Sequence, residues 1–271
     1  MDLQAVRAIA AGIAQQAGAE LLRYFEQPHV EATKQNIVDI VTEGDKASEA
    51  VIVAALRQAF PDHSIVGEEG GSQGASAVDA EYFWYVDPLD GTSNFASNIP
   101  LFTVSIALAD RHKRPLVGAV LCPVYNELYT AARGYGATLN GRPLRVSRTD
   151  TLHRAMLSTG FPYDKTVQPN NIREWSSVLL RARGVLRLGS AALDLAWVAA
   201  GRLDGFWEPR LNPWDILAGL LLVEEAGGRV SDYTGNGLDR AYSGIEVVAS
   251  NGLIHDQLLA VLAEQETTPS L

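Results

Sequence analysis

Apolar residues recur at helical spacing from Leu3 through Val6, Ile9, Ile13, Ala17, Leu21 and Phe25, which predicts an amphipathic helix over residues 3–25 that Pro28 closes. A short extended segment containing Lys34 follows. Thr42-Glu43-Gly44-Asp45 then reads as the capped start of a second helix with Val51, Ala55, Leu56 and Phe60 turned inward. Asp45 falls in its first turn, where the helix dipole alone favours a negative charge. Two apolar runs come next, each reading as a buried strand, and each runs into carboxylates and glycine: Ser64-Ile65-Val66-Gly67-Glu68-Glu69-Gly70, and Trp84-Tyr85-Val86-Asp87-Pro88-Leu89-Asp90-Gly91. Between them residues 72–80, rich in Gly, Ser and Ala, predict a surface loop.

Further apolar strands over residues 102–109, 116–121 and 127–132, separated by the charged turn Asp110-Arg111-His112-Lys113-Arg114 and followed by the turn Asn140-Gly141, predict a large antiparallel sheet in the first half. The second half alternates strand and helix: strand near 155–159, helix 172–181, strand 184–188, helix 191–200 and strand 205–208, which predicts a sheet covered by helices. Asn212 as N-cap, Pro213 at the first helical position and Asp215 in the first turn open another helix that Gly227-Gly228 stops. A strand over 246–250 and a helix over 253–264 complete the chain. The expected organisation is a single domain over 1–271, with a subdomain division at the polar passage near residue 150 (1–150 and 151–271).

Composition narrows the class. The chain has 271 residues, 47% hydrophobic, with a formal net charge of −10, which is enough for a substantial core and places it among soluble globular proteins. Lone Cys122 excludes an intramolecular disulfide framework and a thiolate metal site, so a reducing compartment is expected, and without a signal peptide or membrane span that compartment is the cytoplasm. An acidic chain gains nothing from counterion release, so neither nucleic acid nor membrane is an expected partner. The one cluster of basic residues, Arg181, Arg183 and Arg187, reads as a solvated face, with a phosphate contact or subunit interface as the alternatives. The five histidines are scattered without metal-ligand spacing.

The two acid-ended strands carry the candidate chemistry. Oxygen-only ligands select hard cations, and acids from separate segments with a backbone carbonyl between them suit Mg²⁺. Asp87, the Leu89 carbonyl and Asp90 lie within one proline-restricted turn; Glu68 would come from the neighbouring strand end and Asp215 from the start of the late helix. Asp-Pro and Asp-Gly are also common turn formers, and it is the repetition of the pattern that favours metal binding. Gly91, Thr92 and Ser93 open a helix whose first N–H groups are free for a phosphate. Cations in such a site lower the pKa of water for attack on a phosphate ester, and Thr92 paired with a carboxylate could orient and deprotonate that water.

Asp87-Pro88-Leu89-Asp90-Gly91-Thr92-Ser93-Asn94-Phe95, Gly67-Glu68-Glu69 and Pro213-Trp214-Asp215 with Glu224-Ala226-Gly227-Gly228, in this order over nearly the whole chain, resemble the inositol monophosphatase family. The resemblance implies an α+β fold, a layered αβαβα sandwich of the inositol monophosphatase and fructose-1,6-bisphosphatase type, assembled as a homodimer and sensitive to lithium. It implies two or three Mg²⁺ ions on Glu68, Asp87, the Leu89 carbonyl, Asp90 and Asp215, water activated by Asp45 and Thr92, and phosphate held at Gly91, Thr92 and Ser93. Substrate hydroxyls would meet Gly189, Ser190, Ala191, Glu208 and Asp215, and Lys34 would be the flexible-loop lysine near the metals. Ser93 and Ser190 stand where members often carry Thr, the latter a change that could alter substrate fit. The implied substrate is a small phosphorylated polyol or sugar, inositol 1-phosphate first. Fructose 1,6-bisphosphate, histidinol phosphate, NADP and 3′-phosphoadenosine phosphates are the alternatives. A binding protein that has kept the fold is the non-enzymatic rival, against which stands the full set of acids. A phosphotransferase is disfavoured because no Gly-x-x-x-x-Gly-Lys-Ser/Thr loop occurs.

Overall fold

A computed structural model of the chain describes residues 1–27, 32–33, 40–75, 80–162, 164 and 166–264. Lys34 lies outside the described residues. The first helix, α1 (Leu3–Tyr24), begins on Asp2, whose carboxylate accepts the N–H groups of Gln4 and Ala5, and stops one residue short of the predicted end where Phe25 turns extended. The strands β1 (Ala32–Thr33) and β2 (Ile40–Val41) pair antiparallel and lead into α2 (Glu43–Ala59), which opens on the Thr42/Asp45 capping box the sequence predicts. Then come β3 (Ser64–Gly67), β4 (Gly71–Gly74), β5 (Tyr82–Asp90), the one-turn helix α3 (Thr92–Ala96), β6 (Thr103–Asp110), β7 (Pro115–Cys122), β8 (Glu127–Ala132), β9 (Ala137–Leu139) and β10 (Arg142–Pro143).

These strands form one eight-stranded sheet in the order β10-β9-β8-β7-β6-β5-β3-β4. Two features depart from the sequence reading. Residues 71–74 form an edge strand against β3 instead of a loop, because a backbone ladder needs no apolar side chains and the pattern there is silent. The pairing of β3 with β5 is parallel within an otherwise antiparallel sheet, and this brings both acid-bearing strand ends to the same edge.

The second half contributes β11 (Met156–Thr159), α4 (Ile172–Leu179), β12 (Gly184–Leu186), α5 (Ala191–Ala199), β13 (Gly205–Pro209), α6 (Pro213–Glu225), β14 (Arg229–Ser231), α7 (Leu238–Tyr242), β15 (Glu246–Ser250) and α8 (His255–Ala263). Its sheet runs β12-β11-β13-β15-β14, with β11 parallel to both neighbours and β15 antiparallel to both of its own. The short β14 and α7 have too few residues to show a periodicity and were not legible in the sequence.

The helices α1 and α2 pack on one face of the large sheet, α5 and α6 lie between the two sheets, and α4 and α8 cover the far face of the small one. The layers are therefore αβαβα. Three apolar clusters correspond to the three helix layers. Helix α6 is buried from Ile216 through Val223 without a polar stripe, as a helix enclosed by two sheets must be. It passes so close to β7 that a Cβ on Gly118 would lie 2.8 Å from the Ala218 carbonyl oxygen. Gly118→Ala is expected to destabilise the fold by about 1–3 kcal/mol, the usual cost of overpacking, since backbone on both sides cannot yield. Urea denaturation with unchanged slope and a lower midpoint is the expected result.

Candidate active site

The site grows from the carboxyl end of β5. Its ladder to β6 pairs Asp87 with Ser105 and Asp90 with Thr103, and the register shifts between them, where Pro88 has no N–H to donate. The turn is tied at each point: Leu89 N–H donates to Asp87 Oδ1 at 3.0 Å, and Ser48 Oγ donates to the Pro88 carbonyl at 2.8 Å. Gly91 adopts φ 98°, and a Cβ there would meet the Leu101 carbonyl oxygen at 3.0 Å. Glycine is required on both counts. From the neighbouring strand end, Glu68 N–H donates to the Val86 carbonyl at 3.1 Å.

Helix α5 reaches the same place from the middle layer. Its N-cap, Ser190, donates its hydroxyl to Asp90 Oδ2 at 2.6 Å, and Ala192 N–H donates to the same oxygen at 2.7 Å. The Ser190 side chain is thereby committed to orienting Asp90. Asp215 closes a second capping box, its Oδ2 accepting the Asn212 N–H at 2.7 Å. Behind the cleft, Thr92 Oγ1 lies 3.2 Å from Asp45 Oδ1 and 3.0 Å from the Leu89 carbonyl, while Asp45 Oδ2 accepts both the N–H and the hydroxyl of Thr42.

The result is a cleft of about 270 Å³ lined by Glu68, Asp87, Leu89, Asp90, Gly91, Thr92, Ser93, Gly189, Ser190, Ala191, Glu208 and Asp215. Every candidate site residue of the sequence among the described residues is present, with Asp45 joined through Thr92. Sequence reasoning missed Asp194 and Arg210, which line the same cleft, and left Arg187 as one reading among three. For Asp194 a signal existed: it is the lone charge in Ala191–Ala199, four residues after the N-cap. For Arg210 none did.

The electrostatics are those of acids held together without enough counter-charge. Burial, then Glu68, Asp90 and Asp215, push the Asp87 carboxyl well up, with Glu68 the strongest of its acidic neighbours in effect. Burial likewise raises Asp215, with Glu68 and Asp90 adding to it, and raises Asp90 to about 6 against the bonds from Ser190 and Ala192. The donor set is all oxygen. Among the described residues no three His, Cys, Asp or Glu side chains are gathered tightly enough to hold an ion by themselves. An all-oxygen donor set suits a hard cation such as Mg²⁺, which is bound through carboxylates and keeps several waters.

A pH dependence follows. A carboxyl raised in the folded state stabilises the fold below its unfolded pKa and loses that contribution as pH rises, for Asp90 between about 4 and about 6, to the extent of about 3 kcal/mol at most. His255, bonded to Ser231 and Ser250 away from the cleft and lowered by burial to about 4, acts with the opposite sign over the same range. The two separate in a difference measurement. The gap in melting temperature between Mg²⁺-saturated and EDTA-treated protein is expected to widen from pH 4.5 to 7, since the cation relieves the carboxylates and leaves His255 untouched. A gap independent of pH would mean that the cation binds elsewhere.

A cleft of clustered carboxylates at strand ends within a layered αβαβα sandwich defines a phosphoric monoester hydrolase. A family model described as the inositol monophosphatase family matches residues 2–267. The Nus factor SuhB of Pseudomonas aeruginosa is 48% identical over 86% of this chain and 88% of its own, and the inositol-1-monophosphatase of Synechocystis is 43% identical over 97% and 90%. The solved inositol monophosphatase of Anabaena superposes with a TM-score of 0.87 at 44% identity, covering 97% of each chain. The chain belongs to the inositol monophosphatase family, which is generally Mg²⁺-dependent. Among the described residues no helix is long and apolar enough to cross a membrane.

Proposed function

We propose that the protein hydrolyses inositol 1-phosphate, or a small polyol or sugar monophosphate close to it, to the free alcohol and phosphate. The observation that carries the reading is the convergence of Glu68, Asp87, Asp90 and Asp215 on one cleft beside the Thr92–Asp45 pair. Those four carboxylates and the Leu89 carbonyl would hold two or three Mg²⁺ ions, which when bound supply charge to the phosphate and leaving oxygens and acidify water. Thr92 accepts a hydrogen bond from the attacking water and passes its proton toward Asp45. The first N–H groups of α3, at Thr92 and Ser93, have no partner within their helix and are free for phosphate oxygens. Glu208, at the end of β13, meets the alcohol, beside Gly189 and Ala191. Lys34, outside the described residues, would supply a cation near the metals.

One domain over 1–271, with the division near 150 as a subdomain boundary, a homodimer and a cytoplasmic location complete the reading. The net charge of −10 supports the absence of a nucleic-acid surface. A panel of phosphate esters with Mg²⁺ tests it: inositol 1-phosphate is expected to give the highest kcat/KM, ahead of fructose 1,6-bisphosphate, histidinol phosphate, NADP and 3′-phosphoadenosine phosphates. No release of phosphate from any of them would leave the binding-protein reading standing.

A further inference from the structure

The inward stripe of α2 is polar over its first two turns, at Asp45, Ser48 and Glu49, and apolar beyond them, at Ile52, Val53 and Leu56. All three polar residues are buried, and each holds a different part of the site from behind. Asp45 meets Thr92, and Ser48 donates to the Pro88 carbonyl inside the Asp87–Asp90 turn. Glu49, 7% exposed, reaches a third part, the tight turn Glu68-Glu69-Gly70 that joins β3 to β4. Its Oε1 accepts the Gly70 N–H at 3.0 Å and the Glu69 N–H at 3.3 Å. With the Glu68 N–H on the Val86 carbonyl, all three N–H groups of the turn are engaged, and the Glu68 side chain lines the cleft. Successive N–H groups converging on one carboxylate oxygen form an anion-binding nest, and such charge-assisted bonds hold a backbone more firmly than neutral ones. The same contact explains Gly67, since a Cβ there would collide with Glu49 Oε1.

We propose that Glu49 is a positioning residue for the cation site: it holds the Glu68-Glu69-Gly70 turn in the conformation that presents the Glu68 carboxylate to Mg²⁺. This rests on the reading of the cleft as a Mg²⁺ site. The turn needs such an anchor. The strand that follows it, β4, is Gly71-Ser72-Gln73-Gly74 on the sheet edge, with two glycines and no buried side chain, so packing on that side fixes little. Glu68 also faces the like charges of Asp87, Asp90 and Asp215 across the cleft. An unanchored turn would relieve that repulsion by swinging Glu68 outward, and a cation would then have to pay for drawing it back. Glu49 removes this freedom from α2, the same helix that fixes Asp45 and the Pro88 carbonyl, so one rigid element sets the mutual placement of all three parts.

Glu49→Ala is expected to raise the Mg²⁺ concentration for half-saturation by about 10- to 100-fold, the usual effect of removing a group that orients a metal ligand. The rise should appear both in calorimetric titration of the substrate-free protein with Mg²⁺ and in phosphate-ester hydrolysis. Glu49→Gln keeps an acceptor oxygen for the two N–H groups and should stay within about fivefold of the wild type. Gly67→Ala, which keeps the carboxylate but displaces it with a methyl group, should shift the half-saturation in the same direction as Glu49→Ala, and it carries the test if Glu49→Ala does not fold. In a Glu68→Gln background, Glu49→Ala should add less than about threefold, because the residue it positions is already lost. A lower melting temperature with the half-saturation unchanged in Glu49→Ala and Gly67→Ala would overturn the proposal and make Glu49 a structural tie. A full further loss on top of Glu68→Gln would also overturn it, since Glu49 would then act other than through Glu68. If the wild type takes up no Mg²⁺, the cation reading of the cleft fails and the proposal with it.

Discussion

Asp90→Asn is expected to lower kcat/KM for phosphate-ester hydrolysis by about 10³-fold, the effect of removing one group aimed at developing charge, while the metal-free protein becomes no less stable. One carboxylate oxygen of Asp90 is held by Ser190 and Ala192, and the side-chain carbonyl of asparagine can go on accepting both bonds. The oxygen that faces the cleft is replaced by an NH₂ group, which donates where a cation ligand must accept. Stability moves the other way. Burial and the neighbouring Glu68 hold the Asp90 carboxyl up to about 6, so at neutral pH its ionisation costs the fold, and the amide removes that cost together with its repulsion of Asp87 and Asp215. In EDTA at pH 7 the melting temperature of the variant should equal or exceed that of the wild type. With saturating Mg²⁺ the order should reverse, because the variant gains less from the cation. Opposed signs for activity and apo stability are what a functional, strained cluster produces. A variant with wild-type activity would remove Asp90 from the ligand set, and a large drop in apo stability would make its carboxylate structural.

The sequence made much of this legible because the site is built at element ends, and element ends have chemical punctuation. Asn212-Pro213 fixes where α6 begins and therefore where Asp215 stands, and Thr42 does the same for Asp45. The Asp87–Asp90 turn is defined by Pro88 and Gly91, each with a backbone restriction that few other residues satisfy. What the sequence could not supply is which elements meet. The Ser190–Asp90 bond spans 100 residues of chain, and the parallel placement of β3 beside β5 depends on a pairing no local pattern encodes. Asp194 shows the limit most plainly. As the lone charge in an apolar helix it stands out, but only the layering of α5 between two sheets makes it a buried wall of the cleft. Arg210, with φ 64° and its guanidinium bonded to the Asp164 and Val167 carbonyls, depends in the same way on a loop conformation that its neighbours impose.

Thr92→Val is expected to reduce kcat by about 10²–10⁴-fold, the range for loss of a positioned proton acceptor, and to leave KM and the Mg²⁺ half-saturation within about threefold of the wild type. The change is nearly isosteric, and it removes only the hydroxyl that stands 3.2 Å from Asp45 Oδ1 and 3.0 Å from the Leu89 carbonyl. Asp45 cannot compensate by moving. Its Oδ2 is engaged by the Thr42 N–H at 2.7 Å and the Thr42 hydroxyl at 2.6 Å, so the capping box that starts α2 also aims Oδ1 at Thr92. Thr92→Ser restores the hydroxyl and should recover activity to within about tenfold, the residual loss reflecting the freer χ1 of serine. Asp45→Asn should lose activity to a similar degree and, because it weakens a helix cap, also about 1 kcal/mol of stability, which Thr92→Val should not. If the two residues act as one relay, the double variant will be no slower than the slower single variant. Multiplied losses in the double variant would mean that Thr92 and Asp45 serve separate steps, and an unchanged kcat in Thr92→Val would move the activation of water to another group.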